Sequence, residues 1–139
     1  YEKKQSLKIK SNEFNILAPI TVLPLKTLDL SETDISYLYP ISQMQLKELN
    51  VANTKTSDLN PLKNMNLEKL NLRRSNVSDI QQLIGLPLKE LDIRGLRLNF
   101  EIHLLELKQL KLLKVTEGEI SPFLIRKLRE RGIQVELHP

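Results

Sequence analysis

The chain contains no cysteine, which excludes a disulfide framework, a thiolate metal site and a cysteine nucleophile. That absence fits a cytosolic or an extracytoplasmic setting, so the compartment stays open. Tryptophan is absent and aromatics make up only 4% of residues against 40% apolar overall, so any core must be aliphatic. The glycines, Gly85, Gly95, Gly118 and Gly132, are dispersed and build no phosphate cradle. No apolar run approaches the roughly 18 residues a membrane-spanning helix needs. The histidines, His103 and His138, have no second His or Cys at metal-ligand spacing. There is no GxSxG elbow, glycine-rich loop, HRD or DFG, and no linker rich in Ser, Gly or Pro. The 139 residues suffice for one domain. With Tyr1 first and no signal peptide, the expectation is a piece of a longer protein or a processed form.

Charge narrows the partners further. There are 21 basic and 17 acidic residues, a net charge of +4. Lys3-Lys4, Arg73-Arg74 and the run Arg126-Lys127, Arg129, Arg131 are the places where phosphates would be tracked. Acids are interspersed throughout, and the aromatics that stack nucleic-acid bases are scarce. Both features argue against nucleic acid.

What the chain has in abundance is leucine at a fixed period. In LKELNVANTKTSDLNPLKNMN, residues 46–66, the positions Leu46, Leu49, Val51, Thr54, Thr56, Leu59, Pro61, Leu62 and Met65 form a pattern that restarts at Leu67, 21 residues later. An earlier unit runs from Leu25 through Leu28, Leu30, Thr33, Ile35, Leu38, Pro40, Ile41 and Met44. Before it stands a degenerate one with Leu7, Ile9, Asn12, Phe14, Leu17, Pro19, Ile20 and Leu23, where Lys4 takes the opening leucine position. The unit starting at Leu67 continues with Leu70, Leu72, Ser75, Val77, Ile80, Leu83 and Leu86, with Gln82 in place of proline. Leu88 and Leu110 open two more, so units begin near 4, 25, 46, 67, 88 and 110.

Within a unit, the fourth and sixth residues alternate with polar ones, the period-two mark of a half-buried strand. After the strand a small hydrogen-bonding residue (Asn12, Thr33, Thr54, Ser75) is expected to point inward and bond backbone groups of its own and the next coil. The return segment is too short for a full helix, and Pro19, Pro40 and Pro61 favour an irregular path or a single tight turn. Each coil offers several aliphatic side chains worth roughly 1.5–3 kcal/mol apiece when fully buried. One coil cannot cover them, so the coils must stack.

The end of the chain departs from the pattern. Asn99 is expected to cap a helix from Phe100 to about Lys108, with Ile102, Leu105 and Gln109 spaced at three to four residues. In SPFLIRKLRERG the spacing predicts a true helix: Ser121 the cap, Pro122 the first helical residue, Phe123, Leu124 and Leu128 the apolar face, Gly132 the stop. Ile133, Val135 and Leu137 alternate as a last strand. Residues 121–139 would thus form a cap closing the stack, and residues 1–139 a single domain.

The pattern LxxLxLxxTxIxDLxPLxxM resembles bacterial leucine-rich repeats of the short, 21–22-residue kind. The segment DLNPLKNM is similar to internalin repeats, one residue shorter per unit. The joints MNLEKL and LPLKEL look like the repeat arrays attached to some bacterial serine/threonine protein kinases. The resemblance implies an α/β right-handed solenoid with a parallel concave sheet, an irregular or short-helical convex side and a helical C-terminal cap. It also implies a non-catalytic recognition or scaffold module, with any kinase domain elsewhere in the polypeptide and no cofactor or metal.

In such a stack the residues between the core positions of each strand form ladders about 4.8 Å apart on the concave face. One ladder reads Lys8, Asp29, Asn50, Asn71, Asp92 and Lys114, another Lys10, Ser31, Ala52, Arg73, Arg94 and Thr116, and a third Ser6, Thr27, Glu48, Lys69, Glu90 and Leu112. A protein or peptide partner is expected there, centred on Arg73 and Arg94 with Lys69, Asn71, Glu90 and Asp92 around them and Asp29, Glu48 and Asn50 beyond. The acid pairs Asp29/Glu48 and Glu90/Asp92 read as solvated strand charges rather than a general acid-base pair. Tyr37 and Tyr39 flank an inward Leu38 and should lie outside on the return side. Alternatives from other classes are a charge-driven binder of nucleic acid or anionic surfaces, recognisable by steep salt dependence, and an architectural spacer.

Overall fold

A computed structural model describes residues 6–9 and 20–139. Asn12, Phe14, Leu17, Pro19, Lys4 and Lys10, assigned above to the first unit, lie outside the described residues.

The strands are short because each repeat supplies only one alternating segment. They are β1 (Ser6–Lys8), β2 (Thr27–Asp29), β3 (Glu48–Asn50), β4 (Lys69–Asn71), β5 (Glu90–Asp92), β6 (Leu112–Thr116) and β7 (Gln134–His138). Every strand pairs in parallel with its sequence neighbour, giving one sheet in the order β1 to β7. Leu7, Leu28, Leu49, Leu70, Leu91, Leu113 and Val135 stand opposite one another in register. A leucine at the strand centre therefore stacks on the next, and the period of the sequence becomes the geometry of the stack: a leucine-rich repeat solenoid.

Backbone pairing continues past each strand. Leu30 N–H donates to the Asn50 carbonyl at 2.8 Å, Val51 to Asn71 at 2.9 Å and Leu72 to Asp92 at 2.8 Å. The chain then turns through a left-handed residue at Glu32 (φ 64°), Asn53 (φ 54°), Arg74 (φ 52°) and Gly95 (φ 80°). On the return side, single 3₁₀ turns occupy Tyr39–Ile41, Asn60–Leu62 and Gln81–Leu83. Pro40 and Pro61 sit at the start of the first two, where a missing N–H costs nothing. The third forms without proline, its Gln81 N–H caught by Asp79 Oδ1 at 2.9 Å, as Asp58 catches Asn60 N–H at 2.9 Å.

The core is one continuous aliphatic cluster from Ile9 to Val135. The inward hydroxyls are structural: Thr33 and Thr54 donate to the carbonyls of Leu30 and Val51, each at 2.7 Å. The link to the neighbouring coil comes instead from Thr56, whose hydroxyl donates to the Ile35 carbonyl at 3.4 Å. Ser75 is buried in the place corresponding to Thr33 and Thr54, and its hydroxyl has no partner among the described residues.

Several expectations are corrected. Leu23 is 45% exposed rather than inward. Asn99 caps no α-helix: a 3₁₀ segment, Glu101–Glu106, follows Phe100, and Asn99 donates its N–H to the Ser78 carbonyl of the preceding coil. That tighter winding turns Leu104 and Leu107 inward and leaves Phe100 and Ile102 outside. The later helix, α1 (Pro122–Glu130), starts as anticipated, with Ser121 Oγ accepting the Leu124 N–H. Its buried face is Leu124 and Leu128, while Phe123 is 55% exposed beneath Arg126 and Lys127. Leu137 on β7 is also exposed.

Candidate functional site

The outer face of the sheet is hollowed into a groove of about 360 Å³ that crosses β1 to β6. The side chains lining it are held in place by the way each strand ends. Asp29, Asn50, Asn71 and Asp92 close their strands, and the Oδ1 of each accepts the backbone N–H two residues on: Ser31 at 2.9 Å, Ala52 at 3.0 Å, Arg73 at 3.0 Å and Arg94 at 3.2 Å. This is the short Asx turn that Asp and Asn form readily. It bends the backbone back toward the core, which is why Ser31 and Ala52, expected to face outward, are buried.

The same bonds decide what the groove presents. With Oδ1 committed to the backbone, Asn50 and Asn71 keep Nδ2 groups that donate to no other group among the described residues. The acids are mostly matched. Asp29 Oδ2 lies 3.3 Å from Lys8 Nζ and its Oδ1 accepts the Ser31 hydroxyl at 2.6 Å. Burial pushes the Asp29 carboxyl pKa up, but the Ser31 and Lys8 hydrogen bonds outweigh it and hold the group below its usual value. Glu90 pairs with Lys69 at 3.6 Å across neighbouring strands, an exposed contact worth at most about 1 kcal/mol. Glu48 has no ionic partner among the described residues. Asp29 and Asp92 are thus not the solvated charges expected; Asp92 is buried.

Of the nine residues nominated from sequence, the structure brings Asp29, Glu48, Asn50, Lys69, Asn71, Glu90 and Asp92 together along this groove. Arg73 and Arg94 stand apart, in a second hollow of about 370 Å³ at the rim where the strands end. Arg94 is locked by Asp92 in a two-pronged pair, Nε to Oδ1 at 2.9 Å and Nη2 to Oδ2 at 2.6 Å. Those hydrogen bonds raise the guanidinium pKa further and keep it charged. The Arg73 side chain makes no hydrogen bond or ion pair among the described residues.

The rim also contains Arg74, Thr116, Glu119 and His138. Arg74, named above only beside Arg73 as a phosphate-tracking cation, falls one residue past the outward ladder, at the left-handed turn. Its N–H donates to the Arg94 carbonyl at 2.9 Å. At Gly95 the equivalent carbonyl, that of Thr116, accepts the Glu119 N–H at 3.2 Å, and Thr116 Oγ1 at 3.0 Å and Glu119 Oε2 at 3.1 Å accept the Gly95 N–H instead.

The return side carries Tyr37 and Tyr39, exposed as expected, with ring centroids 5.0 Å apart. Among the described residues no group of three or more His, Asp or Glu is placed to hold a metal, and no helix is long and apolar enough to cross a membrane.

No protein-family model matches the chain, and no curated protein matches it. Among solved structures it is similar to the crystal structure of an internalin from Listeria monocytogenes, with a TM-score of 0.73 at 23% identity. The match covers 96% of this chain and 43% of the internalin chain, so the chain spans less than half the length of that structure. At that level of identity the likeness establishes the fold, the leucine-rich repeat solenoid built up above.

Proposed function

We propose that this chain is a non-catalytic recognition module that binds a peptide or protein segment in the groove on the outer face of its sheet. The observation that carries this is the fixed set of lining groups. Four strand-end side chains are pinned to their own backbone, and two of them, Asn50 and Asn71, are left with free amide donors side by side on adjacent strands. Groups immobilised before the ligand arrives lose little entropy on binding, and amide donors at fixed spacing suit backbone carbonyls or carboxylates. The repeat joints that resemble kinase-linked arrays extend the reading to a sensory or scaffold segment of a larger bacterial protein.

The test uses substitutions that preserve the fold's own bonds. Asn50→Asp and Asn71→Asp keep Oδ1 for the backbone N–H and replace the outward donor by an acceptor. Peptides selected from a displayed library against the native chain should lose about tenfold or more in affinity for the double variant, while its urea midpoint stays close to native. Unchanged affinity would remove the groove as the binding surface.

A further inference from the structure

We infer that the segment bound in the groove is acidic, and that Arg73 and Arg74 at the strand-end rim receive one of its carboxylate side chains. The inference presupposes that the groove binds a polypeptide.

The ionic groups around the rim are unequally paired. Arg94 gives its fork to Asp92. Glu119 Oε2 accepts the backbone N–H groups of Gly95 at 3.1 Å and Thr116 at 3.3 Å. Glu119 keeps its charge but is held by those N–H groups, so one acid stands in the hollow against the guanidiniums of Arg73, Arg74 and Arg94, and neither Arg73 nor Arg74 has a side-chain hydrogen bond or ion pair among the described residues. Two guanidiniums with five N–H donors each are thus borne by consecutive residues lining one hollow.

Their placement is constrained. Asn71 Oδ1 holds the Arg73 N–H, fixing the backbone from which Arg73 departs. Arg74 leaves a left-handed residue, and its stem lies directly over Gly95: a Cβ there would stand 2.8 Å from Arg74 Cγ. Only glycine leaves that path open. A planar fork matches a carboxylate with two parallel bonds, and the hollow of about 370 Å³ has room for a Glu or Asp side chain. The groove and the rim meet at the Asp92–Arg94 pair, since Asp92 lines the first and Arg94 the second. A chain lying in the groove can thus drop a side chain into the rim. On the opposite flank Glu48 and Glu90 face the groove with Lys69 between them, so the cationic end is the rim.

The test is titration of the ¹⁵N-labelled full chain with hexaglutamate, hexalysine and inorganic phosphate, reading the arginine Nε–Hε and Asn side-chain amide signals. Hexaglutamate should shift Arg73, Arg74 and Asn71 and hexalysine should not. Arg73→Gln with Arg74→Asn, the latter suited to a left-handed backbone, should weaken hexaglutamate binding about ten- to a hundredfold. Arg126→Gln with Lys127→Gln should leave it unchanged. Shifts centred on Arg126 and Lys127, or phosphate binding at the rim as tightly as the peptide, would overturn the inference. Library peptides that bind the groove without enrichment in Asp or Glu, and ignore the Arg73/Arg74 variant, would also overturn it while leaving the groove standing as a binding surface.

Discussion

Asp29, Asn50, Asn71 and Asp92 each join two tasks in one side chain: one oxygen ends the strand, while the remaining atom pairs with Lys8 at Asp29 and with Arg94 at Asp92 and lines the groove at Asn50 and Asn71. Removing such a side chain to Ala would therefore confound binding with folding, whereas exchanging Asn for Asp separates them. The left-handed residues that follow raise a comparable question of conformation against contact. Gly95 and Gly118 have nearly the same φ, 80° and 82°, but a Cβ at Gly118 meets nothing within 4 Å, while one at Gly95 meets Arg74 Cγ at 2.8 Å. Left-handed backbone costs an L-residue roughly 1–2 kcal/mol, partly offset by the stiffer unfolded chain. Gly118→Ala should cost about 1 kcal/mol in urea unfolding and Gly95→Ala about 2–3 kcal/mol. Arg74→Ala should return the Gly95→Ala cost to that of Gly118→Ala in a double-mutant cycle. Equal costs for the two glycines would mean that Arg74 swings aside freely and that its direction toward the rim is not fixed.

At the scale of the element, legibility follows how far each residue's setting is decided by its own repeat. Leu28, Leu49, Leu70 and Leu91 were readable as core because spacing alone places them on the inner side of successive strands. Ser121, Pro122 and Gly132 were readable because cap, first turn and stop are local chemistry. The groove ladder was legible as a row of outward residues, but not its Asx bonds, which need the chain to have bent after the strand. The Glu101–Glu106 segment was misread because a period of three to four fits both windings, and only packing against α1 selects 3₁₀. That packing is specific. Glu101 accepts the Ser121 N–H at 2.9 Å and its hydroxyl at 2.5 Å, and the Arg131 guanidinium bonds the Leu105 carbonyl. The carboxylate of one coil thus holds the N-cap of the next. Ser121→Ala should lower stability by about 1–3 kcal/mol, losing both the cap and the Glu101 bond, and Glu101→Gln by about 1 kcal/mol. The double variant should cost less than their sum. Full additivity in chemical denaturation would show that Glu101 and Ser121 act independently.

Across the molecule each described strand pairs with the strand before and the strand after, yet the buried cluster runs unbroken from Ile9 to Val135. In such a stack the stability of any coil includes its two interfaces, so a lesion in the middle is felt on both sides. Leu70 sits at the centre of β4, 2% exposed, in register with Leu49 and Leu91. Leu137, on the last strand, is 38% exposed. Leu70→Ala should cost about 2–5 kcal/mol and Leu137→Ala well under 1 kcal/mol, since half-exposed apolar surface is little changed by truncation. The informative quantity is the shape of the transition. If the interfaces outweigh the intrinsic preference of each coil, Leu70→Ala moves a single urea transition to lower concentration with its slope unchanged, and amide exchange speeds up in β3 and β5 as well as in β4. A transition that splits in two, with β1–β3 melting apart from β5–β7, would show the coils to be held by their own turns more than by each other. The groove, which crosses β1 to β6, would then lose its shape at the break before the chain as a whole unfolded.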